Sequence, residues 1–156
     1  MTLERWQLRD PKTTLLEINE RCPLELGRTV VAAVRMTDQA VTAARVALEP
    51  GQHLRPHPYD SDLARGIAEE IAPDRGSLGA ENGGISHILV TVVCRDGYVV
   101  PARREFEWFR AWRYSNHFRG AIDGDVYVVT PHGWTGALDS RAGYEPCLVE
   151  TKEEPS

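Results

Sequence analysis

The sequence predicts an α+β fold: one domain over residues 1–150, with a mixed or antiparallel sheet of about five to six strands and three helices. Two observations carry this expectation. Segments with apolar residues at helical spacing are separated by β-branched runs bounded by glycine, proline and aspartate. Neither an internal repeat nor a linker-like stretch divides the chain. At 156 residues, 42% of them hydrophobic, the chain suffices for one substantial core.

The first helix is expected over residues 11–22. Asp10 can cap it, Pro11 suits its first turn, Leu15, Ile18 and Cys22 share a face, and Pro23 stops it. Thr29 to Met36 and Ala40 to Leu48 read as a hairpin turning at Thr37-Asp38-Gln39. A second helix, capped by Asp60 or Ser61, runs to Ala72 with Leu63, Ile67 and Ile71 as its stripe. Residues 74–84 are a glycine-rich loop, and Ile85 to Arg95 is apolar enough on both faces to be central.

Asp96-Gly97 reads as a hairpin turn into a short strand at Tyr98 to Val100. The third helix is expected over 103–117, with Trp108, Phe109 and Trp112 on one face and Asn116 one turn beyond. Asp123-Gly124 then turns into a strand from Asp125 to Thr130, and Trp134 to Leu138 forms a last short one. The helices are expected on one face of the sheet. Residues 41–130 alone could follow the β-α-β-β-α-β order of split ferredoxin-like domains, although the preceding hairpin strand fits that poorly. The acidic tail, 151–156, is expected to fray.

Composition narrows the function classes. No apolar run approaches the ~20 residues of a membrane helix, and the N-terminus lacks a secretory layout, so a cytoplasmic, non-membrane protein is expected. A net charge of −5 argues against general nucleic-acid binding. Sixteen of the eighteen basic residues are arginine, which fits the codon usage of a GC-rich bacterium better than phosphate recognition. Cys22, Cys94 and Cys147 are too few and too scattered for a disulfide framework or a structural zinc site.

The functional candidates cluster between Phe106 and Trp134, which hold eight of the twelve aromatic residues. Asn116, His117 and His132 lie among these rings, and buried polar groups need partners. A small-ligand-binding domain or small enzyme is therefore expected, its pocket lying between the 103–117 helix and segment 125–136. His117 and His132 would transfer protons there, since imidazole titrates near neutrality, and Asn116 would orient. Trp108, Trp112, Trp134 and Arg113 would hold the ligand by stacking and charge.

Two alternatives stand beside it. The same tryptophans could be a protein-interaction or homo-oligomer surface, or simply core. Separately, His53, His57 and Asp60 have the ligand chemistry of a divalent metal site and could serve a metal-dependent hydrolase. His87, in the central strand, could join the aromatic pole. The chain has no phosphate-binding loop, Gly-x-Ser-x-Gly elbow, zinc-deaminase motif or paired His-x-Ser/Thr of two-histidine phosphoesterases.

Overall fold

A computed structural model describes residues 3–149. The acidic tail lies outside them. The first helix, α1 (Pro11–Arg21), starts where the Asp10 carboxylate accepts the Thr13 N–H at 3.3 Å. It ends where Cys22 turns extended before Pro23. Strands β1 (Thr29–Arg35) and β2 (Val41–Leu48) form the expected antiparallel hairpin. Gln39 supplies the left-handed residue of its turn, and Asp38 accepts the Ala40 N–H.

Helix α2 (Tyr59–Ile71) leads to β3 (His87–Cys94), which lies antiparallel to β1. Helix α3 (Arg103–Arg113) then crosses over to β4 (Ala121–Thr130), parallel to β3. Strands β5 (Gly133–Gly136) and β6 (Ala142–Gly143) complete a mixed sheet in the order β2-β1-β3-β4-β5-β6. With β1 between β2 and β3, the split ferredoxin-like order is not formed.

The helices cover both faces of the sheet, not one. α1 packs Leu15 and Ile18 against Val30, Ala32, Val34, Val90 and Val92. α2 and α3 pack Ala64, Ile67, Trp108 and Trp112 against Val31, Ala33, Leu89 and Val93. The reason is in the strands: β1 and β3 are apolar at successive residues, so each presents a greasy side in both directions.

The strand expected at Tyr98 to Val100 does not form. The Arg95 guanidinium donates to the carbonyls of Asp96, Tyr98 and Val100, which a ladder would have used. Arg95 is itself anchored on Glu105, whose side chain is fully buried and whose Oε1 lies 2.8 Å from Nη2. The same carboxylate accepts the Ala102 N–H at the start of α3. One buried acid thus orders the whole connection from β3 to α3.

Asp123-Gly124 is not a turn but the interior of β4. Leu89 pairs with Asp123 and Thr91 with Val126, so two β4 residues stand opposite Val90, as in a β-bulge. Gly124 passes so close to β3 that a Cβ there would lie 2.6 Å from Ile88 Cγ2 and 2.8 Å from the Leu89 carbonyl oxygen. Gly124→Ala is therefore expected to cost about 1–3 kcal/mol by forcing the strands apart. Urea unfolding of the variant checks this.

Beyond β5, Asp125 and Asp139 hold the chain. Asp125 accepts the N–H groups of Val126, Leu138 and Asp139. Asp139 receives Tyr127 Oη–H at 3.1 Å and the Arg141 guanidinium, which also donates to the carbonyls of Leu8 and Arg9. Burial pushes the Asp125 carboxyl up against its three N–H donors. Burial pushes Asp139 the same way, but hydrogen bonds from Arg141 and Tyr127 outweigh it and hold that carboxyl below its ordinary value.

A lowered folded-state value means that the contribution of Asp139 is present above the unfolded carboxylate value. It is lost as pH falls through the folded one. The raised Asp125 runs oppositely, contributing below the unfolded value and losing that contribution as pH rises. In Asp139→Asn the stability deficit should be largest at neutral pH and shrink below about pH 4. Thermal unfolding of both proteins across pH measures it.

Candidate functional site

The aromatic pole is split by the sheet. Trp108 and Trp112 lie on the α2–α3 face, only 2% and 4% exposed. Trp134 lies on the other face, packed with Tyr127 at a ring-centroid distance of 6.1 Å and donating Nε1–H to the Glu145 carbonyl. Trp134 therefore walls no common pocket with Trp112, and Trp108, although its ring lies 6.3 Å from that of Trp112 on the same face, does not line the cavity that Trp112 borders. None of these three rings is a free surface for a partner. The large apolar side chains that are exposed are others, including Tyr98, Phe106, Phe118 and Tyr144.

Helix α3 ends at Arg113, four residues earlier than its pattern suggests. The Ser115 hydroxyl donates to the Trp112 carbonyl and closes the last turn. Asn116 then adopts φ 53° with its side chain exposed, so it does not project beside Trp112. Its part is to take the left-handed backbone conformation that asparagine tolerates.

That reversal delivers His117 to the foot of β4. Its Nε2 lies 2.9 Å from Asp123 Oδ1, and its ring meets Trp112 edge-on at 6.1 Å between centroids. Its Nδ1 faces the Arg119 N–H at 3.4 Å. The imidazole caps no α3 carbonyl, and its side chain is 7% exposed against 37% for Asp123. Asp123 Oδ2 has no hydrogen bond among the described residues.

In front of Asp123 lies a cavity of about 210 Å³ lined by Trp6, Phe109, Trp112, Arg113, Asp123, Gly124 and Leu138. It sits between α3 and β4. Of the residues expected from sequence to form a pocket, Trp112 and Arg113 line it, and His117 stands directly behind its carboxylate. Trp6, Asp123 and Leu138 were not foreseen. Trp6 precedes every recognisable element, and Asp123-Gly124 reads as a turn. The spacing His117-x5-Asp123 was the one available signal.

His132 is elsewhere. It is exposed, and lines a different cavity of about 270 Å³ with Val99, Ala142, Gly143 and Tyr144. His87 contacts Ser86 Oγ through Nδ1 at 2.7 Å, and burial with nearby Arg35 pushes its imidazole down. The three histidines do not assemble into one acid-base or metal centre.

Nor do His53, His57 and Asp60 form a ligand set. Asp60 is fully buried and committed to Arg110, with Nη2 at 3.1 Å and Nε at 3.2 Å. His57 Nδ1 is 3.7 Å from it, while His53 lines a separate, larger cavity of about 520 Å³ with Leu48, Gln52, Arg55, Tyr59 and Leu63. There Arg55 already stacks over Tyr59, 4.1 Å from the ring centroid. Among the described residues no group of three His, Cys, Asp or Glu side chains has metal-binding geometry.

The buried polar groups within the aromatic cluster thus find partners inside the chain, and no buried side-chain nitrogen or oxygen among the described residues is left without one. Burial pushes the Cys94 thiol up to about 12, the state of an inert core cysteine. Among the described residues no helix is long and apolar enough to cross a membrane. Comparison with protein-family models, curated proteins and solved structures found no match to this chain.

Proposed function

We infer that this chain is a small-molecule-binding domain whose ligand sits between α3 and β4. One observation carries the reading: the ring-lined cavity has at its wall a carboxylate, Asp123, fixed from behind by a nearly buried imidazole. Apolar walls with one or two positioned polar groups are what small-ligand sites are built from. The hydrogen bond from His117 restrains the Asp123 rotamer before a ligand arrives, so less entropy is lost on binding.

Binding is favoured over catalysis by the same geometry. Both His117 nitrogens face protein groups, so the imidazole positions Asp123 and does not meet the ligand. His132, the other candidate for proton transfer, lines a different cavity. Asp123 and Arg113 are left as the ionisable groups among the lining residues.

A thermal-shift panel of small aromatic amines, acids, amino acids and neutral amides tests this. At least one class should raise the melting temperature of the wild-type protein and fail to raise that of Asp123→Asn. His117→Ala should weaken the same response while remaining folded. If no compound distinguishes wild type from Asp123→Asn, the cavity is not a binding site.

A further inference from the structure

The two charged groups at this cavity are both incompletely partnered, and they have opposite signs. Asp123 uses Oδ1 for His117, while Oδ2 has no hydrogen bond. Arg113 makes no ion pair or hydrogen bond among the described residues. Its guanidinium rests only near the Tyr114 ring, 5.6 Å from the centroid. Although both line one cavity, no salt bridge joins them. A guanidinium fork is matched to a carboxylate, and a carboxylate oxygen to an ammonium N–H. The remaining walls, Trp6, Phe109, Trp112 and Leu138, are apolar.

We propose that the α3–β4 cavity binds a zwitterion of amino-acid size, with its ammonium on Asp123, its carboxylate on Arg113 and its apolar side chain against Phe109 and Trp112. This rests on the reading of the cavity as a ligand site. Charge balance argues for it: a purely cationic ligand would bring its charge towards Arg113, and a purely anionic one towards Asp123. Each would also leave one protein charge unmatched while its water is displaced. Size limits the ligand to small dimensions: the cavity is about 210 Å³. It falls below the ~300–1,000 Å³ of drug-sized pockets.

Isothermal titration calorimetry of the full chain with L-phenylalanine, phenethylamine and 3-phenylpropanoate tests the proposal, because the three share a ring and differ only in charge. The amino acid should bind at least tenfold more tightly than either analogue. In Arg113→Gln its advantage over the amine should disappear, and in Asp123→Asn its advantage over the acid should disappear. Arg113 is exposed and has no partner to lose, so the first variant is expected to fold as wild type does.

If the amine or the acid alone binds as tightly as the amino acid, the zwitterion assignment is wrong while the cavity still stands as a site. If none of the three binds, the assignment is again wrong. The thermal-shift panel then decides whether the cavity reading falls with it.

Discussion

Replacing Glu105 with alanine is expected to destabilise the protein by about 3–5 kcal/mol, the usual loss when one partner of a buried ion pair is removed. Glu105 is fully buried, and the side chain of Arg95 is only 13% exposed. Three separate things fail together in the variant: the charge of Arg95 loses its partner, the Ala102 N–H loses its acceptor, and the loop that Arg95 clamps is released. Urea unfolding should show a lowered midpoint with an unchanged slope. Glu105→Gln, which keeps the acceptor oxygen but not the charge, should recover part of the loss. A variant as stable as wild type would mean that the loop is not held in this way.

Trp108→Ala and Trp112→Ala are each expected to cost about 3–5 kcal/mol, the range for emptying a large aromatic site in a core. For a chain of this length that is a fall of roughly 10 °C in melting temperature, at about 2–4 °C per kcal/mol. Trp112→Ala also leaves the buried Thr91 hydroxyl without the Nε1–H that reaches it at 2.8 Å. The informative contrast is with oligomeric state. Tryptophans that formed a partner surface would change mass in solution and leave stability nearly intact, so light scattering beside thermal unfolding separates the two.

The parts of the fold legible in sequence are those set by local chemistry. The cap at Asp10, the stop at Pro23 and the spacing of Leu15 and Ile18 define α1. The two-sided apolar run of β3 announces its central place, and the turn at Asp38-Gln39 announces the hairpin. The rest of the fold depends on residues far apart in sequence or on one side chain overriding a motif. Asp96-Gly97 has good hairpin chemistry, but Arg95 takes the carbonyls that a strand would need. Asp123-Gly124 has good turn chemistry, yet glycine is there because β3 leaves no room for a Cβ. That helices would cover both faces was written in Thr29–Arg35, which is apolar at nearly every position.

The site divides the same way. His117 stood out because a polar residue among rings asks for a partner, but the partner it found was Asp123, six residues on, hidden in an apparent turn. Trp134 and His132 lie near the aromatic helix in sequence but apart from it in space: Trp134 on β5 faces the α1 side of the sheet, and His132 sits exposed in the turn between β4 and β5. Trp6 and Leu138 reach the cavity from the two ends of the chain, a meeting that no local pattern encodes.

The most direct test of the ligand site is an amide chemical-shift titration of isotope-labelled protein with whichever compound gives the largest thermal stabilisation. The shifts should concentrate at Phe109 to Arg113, Asp123, Gly124 and Leu138, and vanish in Asp123→Asn. Shifts centred instead on Leu48 to Tyr59, or on Val99, His132 and Tyr144, would place the ligand in another cavity and contradict it.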